Sequence, residues 1–332
     1  MFNKCNAVFE GGGVKGIGLV GAVSALEAKK YEFANLAGTS AGAIVAALLA
    51  AGYNATELEQ ILRVMDYEKF KDGNLIDHLG LPGKVMSEFL HYGMYNGEYF
   101  KDWMENLLYE KKKLRFGDIL ADNPGNDRLR YKFQAIATDL TDHRMLVLPW
   151  DLKDFGYDPD EYSIAMAVRM SMSIPLFFEP VKLTDNYGKT HYIVDGGVLS
   201  NYPVWLLDDG SPNPIYPTFG LKLVETDRKD VMGRSASEEI KNLPGFLESI
   251  VSTLLEGHDN YYISTTSGDF DRTICISTTV EAGGEKKKIK TTDFEITEEE
   301  NKALFMNGKN AAEKFLESFN FDVWKNTYRC SS

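Results

Sequence analysis

Residues 33–51 read Phe33-Ala34-Asn35-Leu36-Ala37-Gly38-Thr39-Ser40-Ala41-Gly42-Ala43-Ile44-Val45-Ala46-Ala47-Leu48-Leu49-Ala50-Ala51, and this stretch decides the fold. Its first five residues are a short, mostly apolar run, read as a buried strand. Its last eleven are small and aliphatic, and they predict a helix over 41–51 closed by Gly52. Between the two stands Gly38-Thr39-Ser40-Ala41-Gly42. This matches a nucleophile elbow, a tight strand-to-helix turn that projects a serine hydroxyl from the end of a sheet. The pattern alone is a cheap one in a chain with 29 glycines, so the strand before it and the helix after it supply its weight.

Upstream, Ala7-Val8-Phe9 reads as a strand, Gly11-Gly12-Gly13-Val14-Lys15-Gly16 as a loop, and residues 17–30 as an apolar-faced helix. Downstream, strands are expected over 130–138 and 144–149, with a turn through Asp139-Leu140-Thr141-Asp142. Tyr192-Ile193-Val194 reads as a strand ending at Asp195-Gly196-Gly197, and 273–277 as another. Residues 211–217 hold three prolines and read as a loop, and 246–255 as an amphipathic helix. The last helix opens with a capping box, Thr297 and Glu300, and runs towards Phe319. Strands alternating with helices predict an α/β fold with a mainly parallel sheet covered on both faces. One domain is expected over 1–332, with a core at about 6–210, a helical insertion at about 56–120 and C-terminal strand and helix elements at 218–320. The aromatic segment 79–100 within the insertion reads equally as a lid over an apolar site or as ordinary packing.

Composition narrows the function. The 332 residues carry 36 basic and 49 acidic side chains, a net charge of −13, which argues against a nucleic-acid partner. Cys5, Cys275 and Cys330 suggest neither a disulfide framework nor a zinc site. The longest mostly apolar stretch, 41–53, is too short to span a bilayer, and residues 1–10 do not resemble a signal peptide. A cytoplasmic protein is therefore expected. Lys111-Lys112-Lys113 and Lys286-Lys287-Lys288 could give transient contact with an anionic membrane surface, or could be plain solvated faces.

Three features follow strands at their carboxyl ends: the glycine loop 11–16, the elbow around Ser40, and Asp195-Gly196-Gly197. In open α/β sheets that edge binds ligands, so the three could converge across 155 residues of chain. Gly11-x-Gly13-x-x-Gly16 satisfies the dinucleotide fingerprint, but the acidic residue that fingerprint needs at the end of the next strand is missing; the serine elbow is there instead. The loop reads better as an oxyanion hole, with Gly12 and Gly13 as backbone donors. Lys15 is either an attractor for an anionic substrate group or a surface lysine. None of His78, His91, His143, His191 and His258 sits at a strand end beside a glycine turn. Asp195 does, and Asp139 is its rival as the base for Ser40. Either carboxylate needs desolvation to be an effective base at neutral pH.

Taken together, Gly-Gly-Gly-Val-Lys-Gly (11–16), Gly-Thr-Ser-Ala-Gly (38–42) and Asp-Gly-Gly (195–197) resemble the patatin-like phospholipases. Ser171-Met172-Ser173-Ile174-Pro175 looks like that family's serine-and-proline segment, and the likeness runs from about residue 6 to the C-terminal helix. The resemblance implies a three-layer α/β/α patatin-like fold and a Ser–Asp dyad acyl hydrolase acting on glycerophospholipids or other lipid esters. By that likeness Ser40 is the nucleophile, Asp195 the base, Gly38 and Gly42 the elbow glycines, and Gly11, Gly12, Gly13, Lys15 and Gly16 the oxyanion loop. No metal and no cofactor are implied. Met170 departs from the alanine that relatives often carry there, which touches local packing or acyl-pocket size. A non-catalytic binding or storage protein and a signal-activated defence effector are the alternative roles within the same fold.

Overall fold

The protein is described here from a computed structural model covering residues 3–65, 93–122, 127–208, 211–224, 249–250, 253–254, 268–291, 293 and 295–329. The strands are β1 (Asn3–Phe9), β2 (Tyr31–Thr39), β3 (Gly93–Tyr95), β4 (Phe133–Asp139), β5 (Arg144–Leu148) and β6 (Leu176–Phe178). They continue with β7 (Val181–Thr184), β8 (Thr190–Asp195), β9 (Thr218–Val224), β10 (Thr273–Ser277), β11 (Thr279–Ala282) and β12 (Glu285–Lys288). The helices are α1 (Gly16–Ala28), α2 (Ala41–Ala51), α3 (Ala55–Arg63), α4 (Glu98–Glu110), α5 (Ile164–Ser171), α6 (Glu298–Ser318) and α7 (Phe321–Tyr328).

The main sheet runs β10-β9-β1-β2-β4-β8-β7, with β5 on β4. Strands β10, β9, β1, β2 and β4 are parallel to their neighbours in that order, and β8, β7 and β5 pair antiparallel. The expected mainly parallel α/β sheet is present. Residues 5–9 of β1 and all of β4 are buried, as strands covered on both faces must be. Both β1 and β2 are longer than their apolar cores suggested. Asn35 is tolerated inside because its amide nitrogen donates to the carbonyls of Leu129 (2.9 Å) and Tyr131 (3.0 Å). The side-chain oxygen of Asn6 in turn accepts from Asn35 N–H.

Strand β9 falls at the start of the C-terminal strand and helix elements expected over 218–320, although Lys222 interrupts its apolar run. Buried, Lys222 pairs with Glu10 at 2.7 Å, which makes a charge acceptable there. With β10, it extends the sheet beyond residue 210. Helix α1 is apolar on nearly every side because the sheet, α3 and α6 all pack against it. Helices α1 and α6 meet backbone to backbone: a Cβ on Gly308 would stand 1.8 Å from the carbonyl oxygen of Gly18. The Thr297–Glu300 capping box is formed as expected.

The described part of the insertion comprises α3, β3 and α4. Most of the aromatic segment 79–100, and most of the helix expected over 246–255, lie outside the described residues.

Candidate active site

The elbow forms where β2 ends. Ser40 has φ 53° and ψ −126°, the conformation of the first central residue of a type II′ turn and a strained one for any residue with a side chain. The turn is so tight that a Cβ on Gly42 would lie 2.3 Å from the carbonyl oxygen of Phe9, and one on Gly38 would lie 2.3 Å from that of Gly42. Only glycine fits at either position. Helix α2 then begins at Ala41 and stops at Gly52, which is left-handed.

Strand β4 brings the distant aspartate to this turn. Along one edge β4 pairs first with β2, Thr39 opposite Ile136, and then with β8, Asp195 opposite Ala137. Strand β5 pairs with residues from both stretches and so occupies the other edge. The ends of β2 and β8 therefore approach each other on consecutive residues of one strand. The Ser40 hydroxyl lies beside the Asp195 carboxylate and favours its ionised form by hydrogen bonding. Asp195 Oδ1 also accepts from Gly197 N–H at 2.8 Å. Oδ2 is buried and completes no hydrogen bond of full geometry. Complete burial outweighs these contacts and pushes the Asp195 carboxyl up to about 7.

Two further segments hold this junction. Ser40 N–H donates to Ser171 Oγ (3.0 Å), and that hydroxyl donates to the carbonyl of Ile136 (2.6 Å). Asp195 N–H donates to the carbonyl of Ser173 (2.9 Å). Beyond the diglycine, the Thr39 hydroxyl donates to Ser200 C=O (3.1 Å), and Asn201 engages both the N–H and the C=O of Gly11 at 3.1 Å. Asn201 belongs to none of the sequence motifs. Its only signal was a polar residue six positions after an aspartate at a strand end.

In the glycine loop, the N–H groups of Gly11, Lys15 and Gly16 are engaged by Asn201, Gly12 and Gly13 respectively. Those of Gly12 and Gly13 have no partner among the described residues. Gly13 is left-handed at φ +55°, and a Cβ there would lie 2.1 Å from the carbonyl oxygen of Thr291, so the loop packs flat against that segment. Lys15 is buried. An apolar cavity of about 40 Å³ opens beside Ser40, walled by Gly13, Ile44, Leu62, Phe100, Met172 and Phe178. Met170 is fully buried in α5 and does not line it.

Asp139, the rival base, is committed elsewhere. It is fully buried, accepts from Thr141 N–H (2.8 Å) and Asp142 N–H (3.3 Å), and faces His191 Nδ1 at 2.7 Å. Asp139, Asp142 and His191 also form a metal-like cluster among the described residues, but Asp142 is paired with Lys189 and the His191 ring is held between Asp139 and Asp185. Of the other histidines, His78, His91 and His258 lie outside the described residues.

A larger cavity of about 400 Å³ lies at the opposite, amino-terminal edge of the sheet, beside Thr218 and Arg272. Arg272 is consumed there by Asp208 and Asp269, and Arg329 bonds Asp208. Both guanidinium groups lie over the Trp324 ring, so the cluster docks α7 on the sheet. In the lysine runs, Lys111 pairs with Glu57, Lys113 bonds the Asp118 carbonyl and Lys287 pairs with Glu300. No helix among the described residues is long and apolar enough to cross a membrane.

The uncharacterized protein YqhO of Bacillus subtilis (strain 168) is 36% identical over 319 residues, 95% of this chain and 99% of its own. Probable lipid hydrolase 463L of Invertebrate iridescent virus 6 is 24% identical over 202 residues, 59% of this chain and 61% of its own. The crystal structure of VipD from Legionella pneumophila superposes with a TM-score of 0.55 at 18% identity, covering 95% of this chain and 67% of that one, a likeness of fold. A model of the family described as patatin-like phospholipase matches residues 7–208, a span that contains the glycine loop, the elbow and Asp195. The chain belongs to the patatin-like phospholipase family.

Proposed function

We propose that this protein is a lipid acyl hydrolase of phospholipase A or lysophospholipase type that cleaves fatty-acyl esters of glycerophospholipids through Ser40 and Asp195. Ionised Asp195 takes the proton of the Ser40 hydroxyl as Oγ attacks the ester carbonyl carbon. The carbonyl oxygen gains negative charge and is held by the N–H groups of Gly12 and Gly13, worth about 2.7–4 kcal/mol of transition-state stabilisation per donor. Collapse breaks the ester C–O bond, and protonated Asp195 returns the proton to the departing lysophospholipid alcohol. Water, deprotonated by Asp195, then attacks the acyl-serine, breaking its ester bond and releasing the fatty acid and the Ser40 hydroxyl. The apolar wall of Ile44, Leu62, Phe100 and Phe178 receives the carbons of the acyl chain next to the ester, and the substrate is met by transient contact with a lipid surface.

The observation that carries this reading is a fully buried Asp195, pushed up to about 7, beside a serine hydroxyl at the mouth of an apolar cavity. Burial answers the objection that aspartate is too weak a base. The test is fatty-acid release from mixed phospholipid vesicles with EDTA present, comparing wild type with Ser40→Ala. Release by the wild type alone is expected. Equal release by both proteins removes Ser40 as nucleophile, and silence from both favours a binding role.

A further inference from the structure

We infer that Ser171 is a positioning residue for the nucleophile: its hydroxyl fills the gap in the sheet where β4 passes from β2 to β8, and so sets the register of Ser40 against Asp195. The inference rests on the dyad proposed for these two residues.

The gap arises from the topology. Ile136 is the last residue of β4 opposite β2, and Ala137 is the first opposite β8. Ser40 has just left β2 with a positive φ, so its N–H has no place in the β2–β4 ladder. Ser171 Oγ accepts that N–H at 3.0 Å and donates its own proton to Ile136 C=O at 2.6 Å. One fully buried hydroxyl thus ties the strained nucleophile to the strand that carries its partner. Two residues on, Ser173 C=O receives the N–H of Asp195 at 2.9 Å. The same short segment supplies Met172 and Ile174 to the cavity wall.

The segment is itself fixed. Buried Arg169, one turn earlier in α5, donates to Ser173 Oγ, to Asn96 C=O (2.6 Å) and to Glu179 C=O (2.9 Å). Ser171 therefore acts from a rigid base. Its hydroxyl touches neither the reacting atoms nor Asp195, so removing it should displace the nucleophile without changing what the base is. Small displacements of this kind cost rate, not binding.

The test uses the full chain, with kcat and KM for a short-chain p-nitrophenyl ester across pH 5–9 and the rate of Ser40 labelling by a fluorophosphonate. In Ser171→Ala, kcat and labelling should each fall at least ~10-fold while KM stays within about twofold. The pH midpoint should stay in place; a site merely loosened and wetted would move it downward as Asp195 is rehydrated. Ser171→Thr, which keeps the hydroxyl, should recover most of the rate. Ser171→Cys, which keeps the volume with a weak donor, should behave like alanine, and it replaces Ser171→Ala if that variant does not fold. A folded Ser171→Ala with wild-type kcat, or a shifted midpoint, overturns the inference. Ser40→Ala separates the two readings. If it is inactive while Ser171→Ala is unaffected, only the role of Ser171 falls; if it retains full turnover, the dyad falls and this inference with it.

Discussion

Asp195 lies beside the Ser40 hydroxyl with one carboxylate oxygen, Oδ1, accepting from the N–H of Gly197 and the other, Oδ2, buried without a complete hydrogen bond. A carboxylate so placed has lost its water and gained little in return. Its proton affinity is raised, which suits a base, and the folded state carries the cost.

Activity should therefore depend on a group titrating near neutrality. With the Asp195 carboxyl pushed up to about 7, kcat/KM for a non-ionising ester should rise through pH 7 and level off above it. A profile already flat from pH 5 upward would mean that Asp195 is not the base.

Asp195→Asn should abolish the general base, lowering kcat by about 10²–10⁴-fold. The same change should stabilise the fold at alkaline pH. Because the folded-state value lies above the unfolded one, wild-type stability from this group is fully present below pH 4 and is lost as pH rises through 7. The rise from 3.8 to about 7 corresponds to about 4 kcal/mol at high pH. Thermal melts should show Asp195→Asn gaining on wild type at pH 8.5 and not at pH 4.5.

Ser40 sits at φ 53°, so strain is stored at the proposed nucleophile itself. Both Ser40→Ala and Ser40→Gly should be inactive, but glycine relieves about 1–3 kcal/mol of backbone strain that alanine keeps. Ser40→Gly should melt above Ser40→Ala. Equal melting temperatures would show that the elbow relaxes when the hydroxyl is removed.

Lys222→Met should be more harmful than its place far from Ser40 in sequence suggests. It leaves the Glu10 carboxylate buried without its cation, immediately before the glycine loop. Breaking such a pair from one side typically costs about 3–5 kcal/mol, and a lowered melting temperature with a reduced kcat is expected.

Gly308→Ala tests the helix crossing apart from the chemistry. The added methyl meets the Gly18 carbonyl, so α6 must move off α1. A loss of about 1–3 kcal/mol in urea unfolding is expected, with kcat per folded molecule unchanged.

By itself the sequence determined the local frame. Gly38-Thr39-Ser40-Ala41-Gly42 between an apolar run and an alanine-rich helix could be read because a tight turn leaves residue-level marks: small residues where backbone crowds, and glycine after the last helical residue. The same holds for the Thr297–Glu300 cap and for Asp195 at the end of an apolar strand. These are interactions within a few residues, and their chemistry is written in their spacing.

Tertiary structure decided what depends on distant segments. The burial of Lys222 in β9 could not be read from its neighbours in sequence, because the charge that makes it acceptable is on Glu10, 212 residues away. Asp139 and Asp195 both stand at strand ends, and the diglycine turn favours Asp195 in the sequence; the pairing of β4 with β2 and then β8 is what sets Asp195 beside Ser40, while His191 and two backbone N–H groups occupy Asp139. Asn201 and Ser171 gave little sign of their tasks, since a single buried side-chain hydrogen bond to backbone 131 or 190 residues away has no periodicity to betray it.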